Sequence, residues 1–345
     1  MEKILAFEAF AGYGSQSMAL ELLKKDIGID YKVVGISEID ANAIKAYYAA
    51  RDPRLDTRDK AELQNLVGGG YTPPADLLAD CPNYGDISKI DWSEVPDFNL
   101  FTYSFPCTDI SNAGLQKGLA EGSGTRSSLL WECARAIEAK RPKYLLMENV
   151  KALVSDKFIP DLRKWVMYLE TLGYANFYQV MNAKDYGVPQ NRERVFMVSI
   201  LGESIYYFPK PFKLDRRLKH VLEDNVDESF YLSDDKIQAV IDHCNRKQAE
   251  GCGFKTRFIN PEEEKEKLTG AITGNYGQRE TDTYLKEGND NPHTICLNSK
   301  DENGKQPSIQ NRVYDSNGVS TALTTCYNTC IAEEDKNENQ ESESV

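Results

Sequence analysis

Over its first two hundred residues the chain alternates strand patterns with helix patterns, and this restricts the fold more than any other feature. Residues 4–10, 31–37, 100–104, 144–147, 177–181 and 195–200 are apolar runs of strand length. Between them, residues 15–25, 41–50, 127–140 and 157–172 carry apolar positions at helical spacing. Ile159, Leu162, Val166, Leu169 and Leu172 form the clearest stripe. A short strand is also expected near Gly85. Residues 51–80 interrupt the series, with Gly68-Gly69-Gly70 and Pro73-Pro74 as breakers. Alternating units of this kind predict an α/β fold, a doubly wound, mostly parallel sheet with helices on both faces. Beyond about residue 205 the periodicity fails. Residues 205–330 are expected to form a smaller, loop-rich second domain, and residues 331–345 a disordered acidic tail.

Composition removes several classes. The 345 residues are 41% hydrophobic and 28% charged, values of a globular chain rather than a disordered one. No run of 18 apolar residues is present, so no membrane span is expected. The start, Met1-Glu2-Lys3-Ile4-Leu5, enters a strand pattern at once and shows no signal-peptide pattern. Eight scattered cysteines do not form a disulfide framework in a chain this long, which points to a reducing cytoplasm. The net charge of −13 argues weakly against nucleic acid, but one basic face suffices to bind DNA.

Chemistry-bearing residues recur where strands end. Phe10-Ala11-Gly12-Tyr13-Gly14 joins the first strand to the first helix, and its glycines permit a tight turn against a ligand. As a dinucleotide fingerprint it is incomplete, because Ser17 holds the third glycine position. Glu38 ends the second strand, where an acid can accept both hydrogen bonds of a ribose diol. Asp86, in Gly85-Asp86-Ile87, is placed to accept from an adenine amino group. Each acid alone is a solvated loop carboxylate; their recurrence at successive strand ends is what counts.

Phe105-Pro106-Cys107 stops another strand, and a thiol at such a position can ionise and act as a nucleophile. The commoner fate of a free cysteine is inert burial, which is the expectation for the other seven. Cys326 and Cys330 lack a second pair at zinc spacing, so no metal is expected. Glu148-Asn149-Val150 follows an apolar strand, where a carboxyl can keep its proton as a general acid requires. In Gln190-Asn191-Arg192-Glu193-Arg194, extended backbone would point Arg192 and Arg194 to one side, a pairing suited to phosphate or a carbonyl oxygen.

In this order, these residues resemble the DNA (cytosine-5)-methyltransferases. The resemblance spans residues 4 to about 200 and includes Gly124-Thr125-Arg126-Ser127. A weaker likeness continues through Gln310-Asn311-Arg312-Val313-Tyr314 and residues 320–325. It implies a class I methyltransferase, Rossmann-like fold with an S-adenosylmethionine-binding catalytic domain over residues 1–204. A target-recognition region, incomplete by the family's pattern, would occupy residues 205–330. Phe10, Gly12 and Gly14 would line the donor pocket, Glu38 would hold the ribose and Asp86 the adenine. Ile39, Ile87 and Pro106 would complete the donor contacts. Cys107 would add to C6 of a cytosine flipped out of double-stranded DNA, Glu148 would bond N3 and the amino group, and Arg194, assisted by Arg192, would contact O2 or phosphate.

Three departures from the family pattern are visible. Ser15 replaces a frequent glycine, and Thr108 follows Cys107 where glutamine is common. The family's late Arg-Glu-rich helix and Gly-Asn-Ser element are not found, which raises the expectation of a divided enzyme completed by a second polypeptide. A cognate restriction endonuclease is a further expected partner, in a bacterial or phage-infected cell. Two other readings stand beside this one: a regulatory or DNA-binding remnant with impaired turnover, and a tRNA cytosine methyltransferase. A nicotinamide oxidoreductase explains neither Cys107 nor Glu148.

Overall fold

The computed structural model describes residues 2–55, 71–106, 129–215, 217–221, 231–232, 234–249, 257–259, 283–285, 294–296 and 330–331. The chain divides into two compact units. One comprises Met1–Asn182, Glu193–Lys210 and Val313–Asp315; the other comprises Ala183–Arg192, Pro211–Arg312 and Ser316–Val345.

In the first unit, strands β1 (Ile4–Ala9), β2 (Tyr31–Ser37), β3 (Leu100–Tyr103), β4 (Tyr144–Val150), β5 (Tyr174–Asn182) and β6 (Glu193–Leu201) form one sheet in the order β2-β1-β3-β4-β6-β5. The first four are mutually parallel, while β6 runs antiparallel to both β4 and β5. Helices α1 (Ser15–Ile27), α2 (Ala41–Ala49), α3 (Ala75–Asp80), α4 (Leu130–Lys140) and α5 (Ile159–Thr171) connect them. The predicted α/β class and the mostly parallel sheet are thus present.

Strand β1 shows why helices cover both faces. Successive side chains point to opposite sides of a strand. Phe7 and Ala9 pack with residues of α4 and α5, including Cys133, Ile137, Leu162 and Trp165. Ala6, one position out of phase, packs with Leu20 of α1 and with Tyr47, Tyr48 and Ala49 of α2. The side chain on that second face at the next step is Glu8, which is fully buried.

Local sequence explains how the elements end. Gly28 takes a left-handed φ of 69° and its N–H closes α1 on the Lys24 carbonyl. Asp40 caps α2 by accepting from the Asn42 and Ala43 N–H groups. The strand expected near Gly85 does not form. Asn83 makes a single parallel bridge to Ile36, Gly85 then turns at φ 69°, and the Asp86 carboxyl caps a 3-10 turn over Ile87–Lys89. A left-handed residue followed by a cap ends extended pairing after one bridge.

The second unit contains a five-stranded sheet of short segments, β7 (Tyr231–Leu232), β8 (Arg257–Ile259), β9 (Thr283–Leu285), β10 (Thr294–Cys296) and β11 (Cys330–Ile331), in the order β7-β10-β11-β9-β8, together with helix α6 (Asp234–Ala249). Among the described residues, no helix is long and apolar enough to cross a membrane.

Trp165 anchors the packing of α5. It is fully buried, its Nε1 donates to the Tyr103 hydroxyl at 3.2 Å, and its ring meets Trp131 edge-on with centroids 5.4 Å apart. Truncating a buried tryptophan leaves a cavity and an unmatched hydroxyl, so Trp165→Ala should cost about 3–5 kcal/mol in urea unfolding. Met167→Ala, on the exposed side of the same helix, should stay within about 0.5 kcal/mol. Equal midpoints for the two variants would contradict this packing.

Candidate functional site

The chain leaves β1 toward β2 on one side and returns to β3 on the other, so the carboxyl ends of β1 and β3 border a topological switch point. The residues singled out in the sequence gather around it. After β1, Phe10, Gly12 and Gly14 have φ values of 56°, 57° and 86°. A left-handed phenylalanine is a rare backbone state, tolerated here because the Phe10 side chain packs against the main core. Gly12 has no heavy atom within 4 Å of where a Cβ would stand, so this turn faces open volume.

Glu38, just beyond β2, is fixed to that turn. Its Oε2 accepts from the Gly12 N–H at 2.8 Å, and its Oε1 accepts from the N–H groups of Ile39 and Asp40, both at 2.8 Å. Asn83 extends the arrangement. Its Oδ1 accepts from the N–H groups of Glu38 at 3.1 Å and Gly85 at 3.0 Å, and its Nδ2 donates to the Glu38 carbonyl at 3.0 Å. Gly85 also faces open volume. Beside it, hydrogen bonds from the Ser88 hydroxyl and N–H hold the Asp86 carboxyl below the usual carboxylate range. Two acids beside two open glycines fit a ligand that carries a diol and an amino group. Ile39 presents an exposed apolar side chain at this rim, whereas the Ile87 side chain belongs to the core.

A second cluster stands at the ends of β3 and β4. Strand β4 alternates, with Leu145, Met147 and Asn149 buried and Leu146, Glu148 and Val150 on the other face. Antiparallel pairing sets Phe196 opposite Glu148 and Arg194 opposite Val150. Arg194 and Glu148 are therefore diagonal neighbours on one face, and Arg194 Nε meets Glu148 Oε1 at 2.9 Å in a partly buried ion pair. Asn149, on the buried face, donates from Nδ2 to the Phe105 carbonyl at 3.0 Å. That bond ties the residue next to Glu148 to the segment Phe105-Pro106. Cys107, which is bonded to Pro106, lies outside the described residues, as do Gly124-Thr125-Arg126-Ser127, Gln310-Asn311-Arg312-Val313-Tyr314 and residues 320–325.

Arg192 belongs to the other compact unit, where its carbonyl accepts from the Ala183 N–H at 3.0 Å. Gln16 joins the two clusters. Its Nε2 donates to Ser104 Oγ at 3.0 Å, linking the first turn of α1 to the end of β3. Sequence reasoning missed Gln16, Asn83 and Asn149. Only Asn149 carried a signal, through its place beside Glu148. Among the described residues no cluster of histidine, cysteine and acids could hold a metal.

Comparison with known proteins identifies the family. The pattern of the C-5 cytosine-specific DNA methylase family matches residues 78–344. The type II methyltransferase M2.ScrFI of Lactococcus lactis subsp. cremoris is 44% identical over 258 residues, covering 67% of this chain and 71% of that protein. The orphan methyltransferase M.SssI of Spiroplasma monobiae is 38% identical over 266 residues, covering 67% and 68%. Among solved structures, the Entamoeba histolytica methyltransferase EhMeth superposes with a TM-score of 0.59 at 16% identity, covering 94% of this chain and 93% of that one. Dnmt2 methyltransferase from S. pombe gives 0.54 at 17% identity, covering 84% and 77%. These two show the shared fold. On the match over residues 78–344 and the 44% identity to a type II methyltransferase, the chain belongs to the C-5 cytosine-specific DNA methylase family.

Proposed function

We propose that this DNA cytosine-5 methyltransferase works through a covalent bond between Cys107 and C6 of a cytosine flipped out of duplex DNA. The observation that supports it is the ion pair Glu148–Arg194 standing beside Asn149, whose amide holds the carbonyl that precedes Pro106-Cys107. C5 of cytosine is a poor nucleophile, and the base must leave the stack before a side chain can reach it. Sγ of Cys107 adds to C6 and the ring electrons move toward C5 and N3. Glu148 gives a proton to N3 and accepts from the amino group, so the negative charge that develops on the ring is neutralised where it forms. Arg194, held diagonal to Glu148, contacts O2 or the adjacent phosphate. After C5 is methylated its proton leaves to a base, the Sγ–C6 bond breaks, and the thiolate returns.

S-adenosylmethionine supplies an electrophilic methyl group, and the open volume at Gly12 and Gly85 suits it. Phe10, Gly12 and Gly14 form the wall of its site, Glu38 takes the ribose hydroxyls and Asp86 the adenine amino group, with Ile39, Pro106 and the main chain of Ile87 beside them. Glu38 can accept one hydroxyl as it stands, and the second replaces one of its backbone donors. Each carboxylate oxygen carries two lone pairs: Oε1 already accepts from Ile39 and Asp40, while Oε2 accepts from Gly12 and keeps one lone pair for a hydroxyl. The second unit is assigned target recognition. The reaction is placed in the cytoplasm of a bacterial or phage-infected cell, carried out by this chain alone or joined to a second polypeptide, with or without a cognate restriction endonuclease.

Transfer of tritiated methyl groups to mixed-sequence duplex DNA tests the reading. The chain is assayed alone and with the products of neighbouring reading frames, with tRNA in parallel. Label should enter DNA and fall to background in Cys107→Ser. Label in tRNA alone would transfer the chemistry to RNA, and donor binding without label in every mixture would identify a regulatory remnant.

The ion pair generates a second prediction. Glu148→Gln removes the acid and should lower kcat by about 10²–10⁴-fold, the range of acid–base catalysis. Arg194→Ala leaves Glu148 in place without its partner and should lower kcat by roughly 10–10²-fold, as expected for a positioning defect. Single-turnover kinetics at saturating donor separate both from binding. Wild-type rates in either variant would exclude that side chain from the reaction.

A further inference from the structure

Behind the turn that follows β1 lies a buried cluster of polar groups that the scheme above does not use. Arg51, just past α2, sends its guanidinium toward the back of the turn. Nη1 donates to the Tyr13 carbonyl at 3.2 Å and to the Tyr47 carbonyl at 2.6 Å. Nη2 donates to the Gly14 carbonyl at 2.9 Å and to Ser17 Oγ. The guanidinium carbon lies 3.6 Å from the centre of the Tyr47 ring, so the planar group is stacked as well as hydrogen-bonded.

Ser17 passes the arrangement inward. Its hydroxyl contacts Glu8 Oε2 at 3.1 Å and the Gly14 carbonyl at 3.1 Å. Glu8 is completely buried, and its Oε1 has no hydrogen-bond partner among the described residues. A buried acid of this kind is costly unless a positive charge stands near it. Burial pushes the Glu8 carboxyl up from the usual carboxylate range, and the Arg51 charge is the first influence opposing that shift. Gly14 completes the fit, since a Cβ there would run into the Arg51 guanidinium and lie 2.5 Å from the Tyr47 ring.

The consequence falls on the opposite side of the turn. In a trans peptide the carbonyl and the N–H of one unit point in opposite directions. Holding the Gly14 carbonyl against Arg51 therefore directs the Ser15 N–H away from Arg51. Holding the Tyr13 carbonyl keeps the Gly14 N–H on the Ala11 carbonyl at 2.8 Å, which closes the turn. We propose that Arg51 is the positioning residue of the donor-binding turn: braced by Tyr47, Ser17 and Glu8, it fixes the peptide orientations that the methyl donor meets at Gly12–Ser15. Lysine cannot replace it fully, because four acceptors are served by one rigid, planar fork.

The inference rests on the reading of this turn as the donor site, and the experiment separates the two. Binding of S-adenosylmethionine is measured by calorimetry on the full chain, with KM and kcat measured for donor and for DNA. Arg51→Ala should raise the donor Kd by about tenfold or more and the donor KM in parallel, with kcat at saturation within about threefold, the signature of lost uniform binding. The KM for DNA should stay near wild type. Ser17→Ala and Arg51→Lys should show intermediate losses, and millimolar guanidinium should restore donor affinity to Arg51→Ala but not to Ser17→Ala. If Arg51→Ala fails to fold, Arg51→Lys and Ser17→Ala decide the matter. A folded variant with wild-type donor affinity, or one in which the KM values for donor and DNA rise together, overturns the role of Arg51. A wild-type chain that binds no donor overturns the reading of the site itself.

Discussion

A hydrogen bond of 3.0 Å from Asn149 Nδ2 to the Phe105 carbonyl holds the end of β3 against β4, and the account of the site depends on it. Asn149 also accepts from the N–H of Val150 at 2.8 Å, so its amide is fixed at both ends. The side chain is almost wholly buried, where losing a partner would cost far more than the bond contributes in water. With that tie in place, Pro106 leads out of β3 beside the strand that carries Glu148. Parallel pairing of β3 and β4, from Leu100 with Tyr144 to Tyr103 with Met147, sets the register that makes the bond possible.

The charged groups near the switch point are already engaged before any ligand is considered. Glu38 accepts from three backbone N–H groups, Glu148 faces Arg194, and Asp86 accepts from Ser88. Such groups keep their directions without reorganising, which is what electrostatic stabilisation of a transition state requires. Engagement also explains how acids can border one site in a chain of net charge −13: each is matched locally by backbone donors or by a cation. The overall charge says little about the surface that meets DNA.

How much of this was legible in the sequence follows the range of the interactions. The turn after β1, Glu38 after β2 and Glu148 in β4 were readable because each is marked by neighbouring residues and by a strand end. The diagonal pairing of Glu148 with Arg194 was not, since it needs the antiparallel register of β4 and β6, and apolar runs do not encode strand direction. Gln16, Asn83 and Arg51 were invisible for a related reason: each joins segments far apart in the chain with no local motif. The strand expected near Gly85 failed because the apolar pattern cannot reveal that Gly85 turns left-handed and Asp86 caps the next turn. The second unit offered least, because strands of two or three residues leave almost no periodic trace.

The central claim is that one sulfur atom bonds transiently to the target base. Its most direct measurement uses a duplex in which the target cytosine carries fluorine at C5, incubated with the protein and S-adenosylmethionine. Fluorine cannot leave as a proton does, so the Sγ–C6 bond should persist. After digestion, mass spectrometry should find the modified nucleotide, carrying one added methyl group, on the peptide that contains Cys107. Attachment at any other residue, or an equally abundant complex with Cys107→Ala, would contradict the account.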